Sequence, residues 1–438
     1  MSAEDRPAAT WIIESAAEVA TLSPAGATDA GSLSVVSPGT VVLAGDRIAW
    51  VGAATVAQAA AGELPYRLTP ATRRLDARGC TVIPGLIDCH THLLFGGARH
   101  GDFESRCAGK SYEQIAREGG GIRHTVAHTR AAPDEELLAT ATRHLAGMLA
   151  LGITTVEAKS GYGLAHEHEI RMLRLLRELD RRQPVDIVRT YLGAHEVPLD
   201  QPKESYLREM LERTLPLVAA EGLASFADVY CERGVYSVAE ASTVLRKAKA
   251  LGLQLTVHAE QLYRTGGARV AAELGARSAS HLEQATAADL EALAEAGTIA
   301  VLLPACPLYL GDNRYPPARE ALSRGVPVAI ATDFNPGSAM TYNLPLCLTI
   351  ACVQMRMTPA EALLAATAGA ARALALGDRG AIRPGLIADL VVLDTPHWQQ
   401  PLYHFGASYT RQVFKNGELV WSVSPRPRAI PGELPSSP

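Results

Sequence analysis

The 438-residue sequence has few cysteines, no long apolar run and no strong excess of either charge. Its seven cysteines, an odd number at irregular spacing, argue against a disulfide framework and for reduced thiols in a cytoplasm. No stretch of about 18 apolar residues occurs, and the first residues lack the basic start and apolar core of a signal peptide. Acidic residues number 46 and basic residues 41, without a long basic run. We therefore expect a soluble, cytoplasmic protein whose partners are neither nucleic acid nor membrane.

Both ends of the chain have short β-strand patterns. Apolar runs broken by turns occur in residues 40–51, and residues 388–394 have the pattern of another strand. The step Asn416-Gly417 predicts a two-residue hairpin. Because β-rich ends flank a different middle, we predict one small β-sandwich formed by residues 1–82 and 385–438.

The middle of the chain, residues 83–384, alternates apolar strand patterns with amphipathic helical patterns. Helices are predicted over residues 135–151, 167–179, 204–220 and 239–250. The strand candidates begin, in chain order, at Thr81, Ile153, Asp186, Phe226, Leu253, Ala279, Thr298 and Val326. Eight β-then-α units predict an α/β fold with a closed (β/α)8 TIM barrel.

Polar residues follow several of these predicted strands, and the active site of such a barrel lies at the C-terminal ends of its strands. The first strand leads into residues 88–92, in which His90 and His92 are two apart and face the same side. Three later strands end in His258, His281 and Asp333. A single histidine at a strand end is usually a hydrogen-bonded core residue, but four strands bringing these side chains to one rim predict a metal site. Imidazoles with a carboxylate suit Zn²⁺ or Fe²⁺ and suit Ca²⁺ or Mg²⁺ poorly.

A second histidine pair, His166 and His168, has the same spacing but opens a predicted helix. Residues two apart do not share a helix face, so we interpret this pair as a solvated helix start.

The metal site predicts hydrolysis. A divalent ion lowers the pKa of a bound water to roughly 7, an adjacent aspartate can move the proton, and a further histidine can stabilise a developing oxyanion. No glycine-rich phosphate loop follows a strand and no Gly-x-Ser-x-Gly elbow occurs, so nucleotide-driven and serine-hydrolase chemistry lack support.

Residues 82–92, with the later His258, His281 and Asp333, resemble the amidohydrolase superfamily, whose members combine such a barrel with a small β-sandwich. Within it, the chain is similar to the imidazolonepropionase family, over segments that span nearly its whole length: residues 94–99, 157–163, 192–198, 258–261 and 332–338. The resemblance implies hydrolysis of a C–N bond of 4-imidazolone-5-propanoate, giving N-formimidoyl-L-glutamate in histidine degradation. It also implies a small-molecule substrate, one divalent ion (zinc or iron) per subunit, and a homodimer.

The resemblance further implies a role for each matched residue. The implied metal ligands are His90, His92, His258 and Asp333. The implied catalytic residues are Asp333, His281 and His195, with Asp333 moving the proton and His281 near the oxyanion. The implied substrate contacts are Arg99, Tyr162, His195, Gln261, Asn335, Gly337 and Ser338. Arg99 offers the propanoate carboxylate two parallel hydrogen bonds.

Three alternatives stay open at this point. Glu232, after the fourth strand, is a candidate bridge to a second metal. A cyclic deaminase of the same superfamily, such as one acting on guanine, would share the metal ligands but release ammonia, and Arg99 and the turn at Tyr162 argue against it. A non-catalytic barrel should have lost ligands, whereas the full set is present here.

Overall fold

The structure is a computed structural model, and it describes residues 6–21, 33–53, 65–110 and 112–423. The two predicted sandwich segments extend beyond these ranges, so parts of them lie outside the described residues.

The N-terminal part of the chain forms short strands. They are β1 (Trp11–Ala16), β2 (Glu18–Ala20), β3 (Val35–Val36), β4 (Gly39–Ala44), β5 (Arg47–Gly52), β6 (Arg73–Asp76) and β7 (Thr81–Pro84).

Eight parallel strands then form the central sheet, each paired with the next along the chain. They are β8 (Leu86–Asp88), β9 (Ile153–Lys159), β10 (Asp186–Ala194), β11 (Phe226–Cys231), β12 (Gln254–Ala259), β13 (Ser278–His281), β14 (Ile299–Leu302) and β15 (Val328–Ile330). Beyond β8 and β15, the first and last segments meet through a bridge between Thr91 and Phe334, where the His92 N–H donates to the Phe334 carbonyl at 2.9 Å. The predicted barrel is therefore confirmed, and its two edges meet at the C-terminal rim.

Three C-terminal strands complete the smaller domain: β16 (Leu390–Leu393), β17 (Thr410–Lys415) and β18 (Glu418–Ser422). One sheet has the order β5-β4-β1-β6, and the other, β18-β17-β16-β7-β2-β3, contains strands from both ends of the chain. Buried apolar side chains from both sheets pack together, among them Ile13, Val41, Val82, Leu390 and Phe414. The prediction of a sandwich built from both termini is confirmed.

The strand candidate at Thr81 was assigned to the wrong sheet. Strand β7 pairs with β16 and β2 in the sandwich, and the barrel begins only at Leu86. Gly85 separates the two strands: its N–H donates to the Asp389 carbonyl, and a Cβ on Gly85 would collide with the Thr154 side chain. The apolar pattern continues through this point, so periodicity alone gives no sign that the chain changes sheets.

Most of the helices follow the barrel strands, and the last one lies between β16 and β17 of the smaller domain. They are α1 (His100–Cys107), α2 (Tyr112–Arg117), α3 (Ile122–Ala131), α4 (Asp134–Leu149), α5 (His166–Arg182), α6 (Lys203–Glu209), α7 (Leu215–Ala220), α8 (Val238–Ala250), α9 (Gly267–Leu274), α10 (Ala287–Ala296), α11 (Ala305–Leu310), α12 (Ala318–Ser323), α13 (Leu344–Gln354), α14 (Pro359–Ala365), α15 (Ala368–Ala373) and α16 (Gln400–Tyr403). The four predicted helices are present, although a π-helical turn, Met210–Thr214, interrupts the third. Within the described residues, no helix combines the length and apolar character needed to cross a bilayer.

His166 begins α5 as expected, but the interpretation of a solvated start is wrong for it. The His166 side chain is buried, and its Nδ1 lies 2.9 Å from the Thr214 hydroxyl in the π-helical turn. The turn packs over the start of α5 and excludes solvent from the ring.

Candidate metal centre

The four predicted metal ligands lie together at the C-terminal rim of the barrel. His90, His92, His258 and Asp333 are each at most 2% exposed. The Nε2 atoms of His90 and His258 are 3.1 Å apart, and Asp333 Oδ1 is 3.5 Å from Nε2 of both His90 and His92. Ligand atoms bound to one ion at about 2.1 Å are separated by roughly 3.0–3.5 Å, so this arrangement fits a divalent ion.

His90 belongs to two overlapping clusters whose ligand atoms all lie within 4.8 Å of one another. One contains His92 and Asp333, and the other contains His258 and His281. His281 therefore lies beside the predicted ligands.

Polar contacts at the outer nitrogens orient two of these rings. His90 Nδ1 lies 3.0 Å from the Ser280 hydroxyl, and His258 Nδ1 lies 2.9 Å from Asp228 Oδ2. Each contact occupies Nδ1 and leaves Nε2 facing the cluster, as is usual for histidine ligands of metals.

A network of buried charged side chains contacts His258 at its outer ring nitrogen. Lys159 Nζ lies 2.8 Å from Glu157 Oε1 and 3.0 Å from Asp228 Oδ2, and all three side chains are at most 2% exposed. Burial alone would raise the pKa of Asp228, but His258 and Lys159 hold that pKa well below its usual range. Sequence reasoning missed this network, although Glu157 and Lys159, two apart on a buried strand, face the same side.

His281 faces a second buried group of polar side chains. Its Nδ1 lies 3.6 Å from Glu283 Oε1, and the two form a further cluster with Cys306. Burial lowers the pKa of His281, but the Glu283 carboxylate outweighs it and the net shift is upward. Gln261, one of the implied substrate contacts, donates from Nε2 to Cys306 Sγ at 3.4 Å.

Four non-glycine residues at this rim have a left-handed backbone. The φ angles are 56° for Glu260, 77° for His281, 72° for Leu282 and 56° for Asp333. Such conformations cost of order 1–3 kcal/mol each and concentrate at functional sites. The surrounding fold therefore holds His281 and Asp333 in orientations that an ordinary strand end would not provide.

One wall of the site is formed by two implied substrate contacts. The His195 ring stacks on His92 at 4.9 Å with 19° between the planes, and Tyr162 lies 5.4 Å from His195. His195 Nδ1 is 2.9 Å from the Gly161 carbonyl, which can only accept, so Nδ1 carries the proton. Desolvation and the neighbouring His92 and His258 lower the His195 pKa, which keeps the ring neutral with Nε2 as an acceptor.

The loop after β15 carries the remaining implied contacts. Asn335 Oδ1 accepts the N–H groups of Gly337 and Ser338, both at 2.8 Å, so the Asn335 side chain shapes the loop. The Ser338 hydroxyl lies 3.2 Å from Asp333 Oδ2. The Arg99 guanidinium packs so closely on Gly337 that a Cβ there would collide with it.

Glu232 does not face the metal cluster. Its carboxylate accepts the backbone N–H groups of Arg233 at 2.7 Å, Leu262 at 2.9 Å and Tyr263 at 3.2 Å. Within the described residues it belongs to none of the groups able to hold an ion. This carboxylate shapes the loop after β12, and a bridging role finds no support.

Comparison with known proteins identifies the family of the chain and supports its fold. The model of the amidohydrolase family matches residues 81–420. The chain is 45% identical over 425 residues to an imidazolonepropionase of Anaeromyxobacter dehalogenans, covering 96% of this chain and 98% of that protein. It is also 45% identical to one of Rubrobacter xylanophilus, covering 90% and 93%. Among solved structures, an adenosine deaminase of Xanthomonas campestris with bound zinc is similar in fold, with a TM-score of 0.72 and 21% identity over 94% of this chain and 93% of that one.

Proposed function

Because the chain belongs to the amidohydrolase family and, within it, to the imidazolonepropionases, we propose that it opens the ring of 4-imidazolone-5-propanoate by hydrolysis. Water adds to the ring carbonyl, the adjacent C–N bond breaks, and N-formimidoyl-L-glutamate is released. What carries the proposal is that the residues matched to this family, from Arg99 to Ser338, come together around one rim of the barrel.

The ion in this proposal is held by His90, His92, His258 and Asp333. A divalent ion bound there would act as a Lewis acid toward the ring carbonyl and would lower the pKa of a bound water. Zinc and iron both suit the three nitrogens and one oxygen. Elemental analysis of the purified protein distinguishes them.

The chain's own groups then move the protons. Asp333 accepts a proton from the attacking water and delivers it to the ring nitrogen that leaves. Its Oδ2 is 3.2 Å from the Ser338 hydroxyl, a contact that holds the carboxylate in one rotamer. His281, held beside Glu283, donates from a ring N–H to the oxygen on which negative charge develops.

Other residues hold the substrate. The acceptor Nε2 of neutral His195 receives a ring N–H, and Tyr162 packs beside it. Arg99 binds the propanoate carboxylate, and this contact distinguishes the proposed substrate from the uncharged rings of the deaminase alternative.

The proposal is tested by following the ultraviolet band of freshly prepared substrate with purified protein of known metal content. We expect the band to disappear, the activity to be lost after chelation and to return when metal is added. Asp333→Asn should lower kcat by at least about 100-fold. An unchanged band with about one equivalent of metal bound would contradict the proposed substrate.

We also propose a cytoplasmic homodimer, as the family likeness implies. Sedimentation equilibrium of the purified chain measures the mass directly, and a monomer at micromolar concentration would contradict the dimer.

A further inference from the structure

Helix α1 lies at the mouth of the barrel, and the structure describes it throughout. None of its residues is buried. The Phe103 ring lies 5.4 Å from the Tyr309 ring, and Arg106 makes two further contacts: its Nη1 donates to the Gly337 carbonyl at 3.1 Å, and its guanidinium lies 4.7 Å from the centre of the Tyr309 ring. The helix is thereby tied to the loop that carries Ser338.

A second polar contact joins α1 to Arg99, the residue before it. Asp102 Oδ2 accepts from Arg99 Nε at 2.8 Å and from the Gly121 N–H at 2.8 Å. The Arg99 and Asp102 side chains are 5% and 18% exposed, so this pair is more shielded than an ordinary surface ion pair.

Two glycines enclose this pair from opposite sides. A Cβ on Gly120 would collide with Asp102 Oδ1, and a Cβ on Gly337 would collide with Arg99 Nη1. The order of groups is therefore Gly120, the Asp102 carboxylate, the Arg99 guanidinium and Gly337. We call these four residues the carboxylate clamp.

Within the described residues, the bond to Asp102 is the one hydrogen bond that the Arg99 side chain makes, and it uses Nε. The two terminal nitrogens of the guanidinium face the loop of Gly337. They present the parallel pair of N–H donors that a carboxylate accepts.

We propose that Asp102 is a positioning residue that fixes the Arg99 guanidinium against Gly337 to receive the substrate's propanoate carboxylate. The inference rests on the proposed function for the identity of the substrate. Without the Asp102 charge, the long Arg99 side chain regains rotamer freedom, and ordering it then opposes carboxylate binding.

The test compares binding of two unreactive ligands, imidazole-4-propanoate and its primary amide, by titration calorimetry on the metal-loaded protein. We expect the unsubstituted protein to prefer the carboxylate, and Asp102→Asn to reduce that preference about tenfold without weakening binding of the amide. Asp102→Glu should restore part of it. Gly337→Ala, which displaces Arg99 from the other side, should reduce the preference as well.

Asp134→Asn is the matched control, because Asp134 accepts from Arg171 Nε at 2.6 Å in a similar pair on the outer helices. It should leave the preference unchanged. Equal weakening of both ligands by Asp102→Asn, or an unchanged preference, would overturn the proposal. Turnover of the imidazolone substrate is measured alongside: a protein that lacks turnover but loses its carboxylate preference in Asp102→Asn contradicts the proposed substrate and supports the clamp.

Discussion

Replacing Asp228 by asparagine tests whether the buried charges beneath the site support metal binding. Asp228 Oδ2 lies 2.9 Å from His258 Nδ1 and 3.0 Å from Lys159 Nζ, while Oδ1 accepts the backbone N–H of His258 at 3.1 Å. Asparagine keeps the size of the side chain but removes the charge that fixes the tautomer of His258.

This geometry predicts the size of two effects of the substitution, one on metal affinity and one on the free energy of unfolding. Loss of a hydrogen-bond partner behind a metal ligand lowers metal affinity by about 10–100-fold, or about 1.4–2.8 kcal/mol. Breaking a buried ion pair costs about 3–5 kcal/mol of stability, and because Lys159 keeps Glu157 we expect the lower end of that range.

The assay separates these two effects by a matched control. Lys415 lies 2.7 Å from both Asp389 and Asp186, where the sandwich meets the barrel. The Lys415 and Asp389 side chains are at most 3% exposed. Asp389→Asn should therefore destabilise the metal-free protein about as much as Asp228→Asn, measured by urea unfolding. Competition with a chromophoric chelator should show weaker zinc binding in Asp228→Asn alone. Unchanged zinc affinity in that variant, or equal weakening in both, would refute the reasoning.

Three further predictions concern catalysis, pH and packing. His281→Asn should lower kcat at least about tenfold while zinc affinity stays within about twofold, and a larger loss of zinc affinity would make His281 a ligand. The rings of Phe95, Phe334 and Tyr342 surround His144, and its burial lowers the pKa to about 4 from 6.5. Because the unfolded chain then binds a proton that the folded chain does not, stability falls as the pH drops from about 6.5 to 4, by about 1–2 kcal/mol because the half-buried ring is partly screened by solvent. His144→Phe should remove that part of the pH dependence in urea unfolding, and parallel pH curves for both proteins would contradict the assignment. Gly85→Ala should cost about 1–3 kcal/mol because the new methyl group meets Thr154, and unfolding at an unchanged urea concentration would count against it.

Much of the fold was predictable because its signals are local. Strand and helix periodicities identify the eight β/α units, and Asn416-Gly417 marks a hairpin in which both residues have positive φ, 50° and 77°. The change of sheet at Gly85 was not predictable, because Thr154 lies in a different strand and only the folded chain brings the two together.

The residues of the candidate site likewise divide into those that local sequence signals identify and those that only the folded chain brings together. His90 and His92 stand out because a strand places them on one side, and His258, His281 and Asp333 stand out because they end other strands. The partnership of Asp228 with Lys159 depends on which strands are neighbours. Asp102, three residues after Arg99, has the spacing of an ordinary surface ion pair. Only the packing of Gly120 and Gly337 around the pair indicates that Asp102 positions Arg99.

Mass spectrometry of the product formed in ¹⁸O-labelled water tests most directly whether water opens the imidazolone ring at its carbonyl carbon. We expect N-formimidoylglutamate carrying one ¹⁸O atom in its new carboxylate, formed in step with substrate loss and without ammonia. Release of ammonia from the ring, or a product without the label, would contradict the proposed hydrolysis.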